Sequence, residues 1–172
     1  MSDGPLEESW ESWTARIAAD LATLTDDDWL TFTVHVPSQA SSTYAAERSP
    51  RSWRRGGARP APPARVPDVF LQARRLEGVL ALECIGDTEF EGLTDLTGDE
   101  QAALVGLGWA REGAEPEFSR AFDSATVSAT VSATDRAADR STGAAELLRA
   151  SLAQVLGAAT PADVDIRRAP RR

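Results

Sequence analysis

From Trp10 onward, apolar residues recur at steps of three and four: Trp10, Trp13, Ile17, Leu21 and Leu24. That spacing lays one stripe along a helix and predicts a helix over about Leu6 to Leu24. Glu7, Glu8 and Glu11 fall in its first turns, where carboxylates meet the positive end of the helix dipole. Asp26, Asp27 and Asp28 would oppose the negative end, so they predict a turn; no spaced oxygen ligands of a calcium loop surround them. From Trp29 the period becomes two. Leu30, Phe32, Val34 and Val36 alternate with Thr31, Thr33 and His35, which predicts a strand with one buried face and His35 on the polar one.

Two further strand-length runs, Val69 to Leu76 and Gly78 to Ile85, flank a turn at Glu77-Gly78 and read as a hairpin. Val69, Leu71 and Ala73 share a face with Leu80, Leu82 and Cys84; Phe70, Gln72, Arg74, Val79, Ala81 and Glu83 take the other. Thr97-Gly98-Asp99-Glu100 has the form of a capping box, and the helix it opens runs through Ala103, Leu104 and Leu107 to a left-handed stop at Gly108. Trp109 then re-enters the core. Trp109 to Arg111 and Phe118 to Phe122 read as a second small strand pair. Val127-Ser128-Ala129-Thr130 is repeated as Val131-Ser132-Ala133-Thr134. Its period of four suits a helix face, whereas its valines and threonines suit a strand or an unstructured spacer. Leu148, Leu152, Val155 and Leu156 mark a final long helix that Gly157 and Thr160-Pro161 stop, and residues 167–172 read as a basic tail.

Composition narrows what such a domain can do. The 172 residues suffice for a single domain with its own core. Twenty-seven acidic residues against 18 basic give a formal charge of -9, which disfavours a general nucleic-acid or anionic-membrane binder. One cysteine, Cys84, leaves no intrachain disulfide, and one histidine, His35, leaves no paired-histidine metal motif. Cys84 reads as a small buried hydrophobe rather than a nucleophile. No apolar run approaches the roughly 20 residues of a membrane helix, and the acidic start lacks a signal-peptide pattern, so a cytoplasmic location is expected. There is no Gly-x-Ser-x-Gly elbow and no phosphate loop; Gly106-Leu107-Gly108 ends a helix where a dinucleotide fingerprint would begin one. The expected catalytic, cofactor-binding and metal residues are therefore none.

One stretch differs from the rest. Residues 37–67 are dominated by proline, serine, glycine and arginine, with eight arginines from Arg48 to Arg75 opposed there by Asp68 alone. Such a composition predicts a disordered insertion, since it cannot bury enough apolar surface to offset its ordering entropy. Ser52-Trp53-Arg54-Arg55-Gly56-Gly57 has the look of segments that track nucleic acid with an aromatic available for stacking; contact with this protein's own acidic surface is the plainer reading.

Taken in order, these motifs resemble a known family. The hairpin Val69-Phe70-Leu71-Gln72-Ala73 with Leu82-Glu83-Cys84-Ile85 leads to the Thr97 to Glu100 helix start. Leu104-Val105-Gly106-Leu107-Gly108-Trp109, Pro116-Glu117-Phe118 and Leu148 to Pro161 follow. The series is similar to an actinobacterial TY-Chap domain, a YbjN-like relative of the CesT-type type III secretion chaperones. The resemblance spans about Trp10 to Val36 and Val69 to Val164. It implies an α+β fold: an N-terminal helix, a three-stranded antiparallel sheet, a second helix, a short second strand pair and a long C-terminal helix. It also implies non-enzymatic binding of a peptide or protein client, often by homodimers. Departures are the insertion, Glu117 where the pattern has asparagine, and the valine-serine-alanine-threonine duplication. The expected peptide-binding residues are Phe70, Gln72, Arg74, Val79, Ala81 and Glu83, on the sheet face away from the core. The alternative is a regulatory module that reaches nucleic acid or an acidic protein through the arginine-rich insertion.

Overall fold

A computed structural model of the chain describes residues 8–34, 70–85, 96–111, 117–123 and 133–170. The first helix, α1 (Trp10–Ala22), starts at Ser9, whose hydroxyl accepts a 3.2 Å bond from the Ser12 backbone N–H. A serine there satisfies one of the donors every helix start leaves over. The three-and-four stripe then turns Trp13, Ile17 and Leu21 fully inward. Asp26 and Asp27 form the expected turn, and Asp28 already belongs to strand β1 (Asp28–Val34).

β2 (Phe70–Leu76) pairs antiparallel with both β1 and β3 (Val79–Ile85). The β2–β3 turn is Glu77-Gly78, with φ of 50° and 82°. Positive φ at both central residues is the two-residue hairpin turn whose twist matches that of the strands, and glycine takes the second position without strain. α2 (Gly98–Leu107) has the full capping box: the Thr97 N–H donates to Glu100 Oε2 at 2.7 Å, and the Glu100 N–H donates to Thr97 Oγ1 at 3.3 Å. Gly108, at φ 100°, ends the helix. β4 (Ala110–Arg111) and β5 (Glu117–Phe122) follow. α3 (Ala133–Ala150) then passes into a π turn over Ser151–Val155 and a 3-10 turn over Pro161–Asp163 before β6 (Val164–Pro170).

Among the described residues the α+β architecture is thus three helices and one six-stranded antiparallel sheet in the order β4-β5-β3-β2-β1-β6. This corrects the expectation of three strands plus a separate pair, because β5 pairs directly with β3, Phe118 opposite Cys84. It also corrects the basic tail. Arg167 and Arg168 lie within β6, which runs antiparallel to β1 with Ile166 opposite Phe32. The alternation of Val164 and Ile166 with Asp165 is too short to stand out beside four arginines, and the pairing is long-range, so sequence spacing alone does not reveal it. The insertion at 37–67, His35, Val36 and Val69 lie outside the described residues, as does the duplicated tetrapeptide up to Ser132. Ala133 and Thr134 open α3.

All the buried strand residues belong to one parity: Leu30, Phe32, Leu71, Ala73, Leu80, Leu82, Cys84 and Phe118. α1 and α3 cover that face, with Ala144, Ala145, Leu148 and Leu152 from α3 completing the core. Trp13 packs edge-on against Phe32 at 6.1 Å and against Trp10 at 5.3 Å, the arrangement that ring quadrupoles favour.

Candidate peptide-binding face

The even pairing of the sheet decides what its other face carries. Residues directly opposite each other across strands point to one side, and a period of two keeps that side constant along each strand. Gln72 stands between Thr31 and Glu83, and Glu83 stands next to Ser119. One row along, Arg74 stands between Trp29 and Ala81, and one row the other way Phe70 stands between Thr33 and Ile85. The tight turn at Glu77-Gly78 holds this register, because it fixes Leu76 opposite Val79. All six expected residues, Phe70, Gln72, Arg74, Val79, Ala81 and Glu83, therefore share the face opposite the helices, and each is half-buried.

The face has a charged centre and apolar flanks. An Arg74 Nη2 proton is donated to Glu83 Oε1 along the diagonal between β2 and β3. The Arg74 side chain stays 41% exposed and that of Glu83 20%, so the pair is accessible to a ligand at its edge. Arg74 Nε is buried without a hydrogen-bond partner. Trp29, directly opposite Arg74, and Ile85, directly opposite Phe70, extend the apolar flanks. Neither belonged to the expected set. The parity that put Thr31 and Thr33 on the polar side of β1 also puts Trp29 there, so the signal for Trp29 was present in the alternation. Ile85 likewise follows from the parity of Glu83.

Chemically, such a surface can bind and orient a ligand. Among the described residues no group of three or more histidine, cysteine or acidic side chains could hold a metal ion. Cys84 is buried, and desolvation pushes its thiol up to about 12, far from a reactive thiolate. A separate open groove of about 540 Å³ runs between α1 and α3, lined by Glu11, Thr14, Ala15, Ala18, Thr142, Glu146 and Arg149. Its walls are mostly small side chains under a charged rim. No helix among the described residues is long and apolar enough to cross a membrane.

Comparison with known proteins returns nothing similar: no family model, no curated protein and no solved structure matches the chain.

Proposed function

We propose that the chain is a non-enzymatic, cytoplasmic peptide- or protein-binding adaptor of the TY-Chap and secretion-chaperone kind. It takes an extended client segment on the sheet face opposite its helices. The observation that carries this reading is the grouping of Trp29, Phe70, Val79 and Ile85 around the Arg74–Glu83 pair, on a face that no described helix covers. Half-buried apolar side chains offer contact area, and a partly exposed ion pair offers polar selectivity for alternate positions of a strand-like ligand.

The test is panning of a displayed peptide library with the full chain, with the Phe70→Asp variant and with a Val105→Asp control. Val105 is 54% exposed on α2 and belongs to none of the sheet strands. Peptides retained by the chain and by the control but released by Phe70→Asp support the reading. Equal retention by all three, with folding intact, refutes it.

A second reading keeps the arginine-rich segment as the functional element, engaging nucleic acid or an acidic protein. It rests on the local charge of 37–67, and it requires binding that falls steeply with salt and disappears when those residues are removed.

A further inference from the structure

Arg75 breaks the division of the sheet into an apolar and a polar face. It shares the parity of Leu71 and Ala73, so its guanidinium belongs to the helix-covered side, and the residue stands directly opposite the buried Leu80. Its Nη2 donates to the Leu21 carbonyl near the end of α1, at a long 3.4 Å. Its Nε is buried and has no hydrogen-bond partner among the described residues. Ser141 of α3 is 2% exposed, and its hydroxyl has no partner among them either. A serine in a helix can donate to the carbonyl four residues back, as Ser151 does to Leu147; the Ser141 hydroxyl makes no such bond. Both orphaned groups line one cavity of about 10 Å³, together with Gly78, Leu80, Ala137 and Arg140. Ala137, Arg140 and Ser141 follow at helix steps of three and four, so a single side of α3 meets the end of the β2–β3 hairpin there.

We propose that this cavity is an anion site that takes the phosphoryl group of inorganic phosphate or of a small phosphate monoester. Charge is the first reason. A guanidinium brought under a helix layer requires a counter-charge, and the Leu21 carbonyl is uncharged. A water molecule would fill the space without supplying one. The second reason is the sense of the hydrogen bonds. Guanidinium groups only donate and a serine hydroxyl can donate, so the atom that satisfies Arg75 Nε and Ser141 Oγ together is an acceptor. The third is size. About 10 Å³ is room for little more than one oxygen-sized atom. One phosphoryl oxygen enters between Arg75 and Ser141, and the others stay at the mouth, beside the second guanidinium of Arg140. A halide has no further atom to offer Arg140, and a carboxylate has only two oxygens, fixed in one plane. The bound group ties the hairpin end to α3, two segments more than fifty residues apart in sequence.

The site lies on the helix side of the sheet, so it does not depend on the client reading: Arg75 and Arg74 belong to opposite parities of β2. The experiment is calorimetric titration of the full chain with inorganic phosphate and, separately, with glycerol 3-phosphate, at ionic strength matched by sodium chloride. Saturable binding of either probe at a single site is expected, and which of the two binds separates a free-ion site from an ester site. Ser141→Ala removes a hydroxyl that has no partner among the described residues, so the fold does not rely on it. It should weaken binding about tenfold or more, the usual effect of losing a hydrogen bond to a charged group. Arg75→Lys keeps the charge, loses the Nε donor and should weaken binding as well. Arg167→Gln removes one positive charge from an exposed position on β6 and should leave affinity unchanged. The absence of saturable binding by both probes overturns the inference. So does binding that a folded Ser141→Ala leaves unaltered, or that Arg167→Gln weakens as much as Ser141→Ala does. Should Arg75→Lys not fold, Ser141→Ala decides alone.

Discussion

The indole N–H of Trp109 donates a 2.8 Å hydrogen bond to the hydroxyl of Ser151, which donates in turn to the carbonyl of Leu147 at the same distance. Both residues are buried, 42 positions apart, and the bond joins the end of α2 to the first residue of the π turn. In that turn the Leu156 N–H reaches back five residues to the Ser151 carbonyl at 2.9 Å. Ser151→Ala leaves the indole donor buried without an acceptor, which costs about 1–3 kcal/mol of stability. Trp109→Phe in the Ser151→Ala background should cost less than Trp109→Phe alone, as no donor is then left to orphan. Urea titrations of the two single variants and the double variant measure that coupling.

Two glycines at one helix end should respond with opposite signs. Gly108 has φ 100°, where a β-carbon is strained by the chain's own backbone, and nothing else lies within 4 Å of an added Cβ. Gly108→Ala should therefore destabilise by about 1–2 kcal/mol through backbone strain alone. Gly106 lies inside α2 with equally open space around an added Cβ. Gly106→Ala should stabilise by about 0.5–1 kcal/mol. Thermal melts of the pair separate conformational strain from packing, because neither site offers an atom to clash with.

Acid should weaken the clasp between the sheet edge and its neighbour. Asp28 accepts a 2.6 Å hydrogen bond from Arg168 Nη2 and a 3.2 Å bond from the Thr25 hydroxyl. The Arg168 bond is the main cause that holds the Asp28 carboxyl below its ordinary range. A carboxyl depressed in the folded state binds fewer protons there than in the unfolded chain. Its stabilisation is complete above the unfolded value of about 3.9 and fades as pH falls through the folded one. Asp28→Asn should thus be less stable than the wild type at neutral pH, and the difference should close as pH drops below about 3.9. Chemical denaturation of both chains at stepped pH checks the direction.

Where pattern and structure agree, the reason is local. Thr97 with Glu100, Glu77-Gly78 and Gly108 act through their own backbone within a few residues, so the ends of α2 and the β2–β3 turn follow from spacing, whereas α1, expected from about Leu6, begins only at Trp10 behind the Ser9 cap. The hairpin's parity did the same for the candidate face, placing Phe70, Gln72 and Arg74 opposite Leu71 and Ala73. What spacing does not encode is partnership between distant segments. β6 joins β1 across more than a hundred residues, and β5 joins β3 rather than forming a unit with β4 alone. The short apolar alternation in β6 matters only because Phe32 and Leu30 lie beside it. Trp29 was legible as a strand residue, but its place beside Arg74 depends on the β1–β2 register.

That register also bears on the insertion. Thr33 is directly opposite Phe70, so β1 and β2 end side by side and a short loop can join them. Removing residues 37–67 leaves His35, Val36, Asp68 and Val69 between Val34 and Phe70, a length ordinary for a hairpin. Cutting the connection from 35 residues to four is about three halvings, worth roughly 2 kcal/mol of loop-closure entropy. The shortened chain should fold, unfold at higher urea and keep peptide binding to the sheet face. Loss of binding with folding intact would transfer function to the arginine-rich segment.

Trp29 supplies a direct optical reading of the face. Trp10, Trp13 and Trp109 lie in the helix layer or the core, so among the described residues Trp29 is the one tryptophan on the open side of the sheet. A peptide laid across Phe70 and Val79 would take water away from its ring and shift its emission to shorter wavelength. Trp29→Phe keeps an aromatic beside Arg74 and should retain binding within a fewfold while removing most of that shift. Titrating a panned peptide into both proteins, with affinity read separately by calorimetry, tests the placement. An unchanged emission shift in Trp29→Phe would move the binding surface away from β1 and β2, and loss of affinity along with the shift would make the indole itself a main contact.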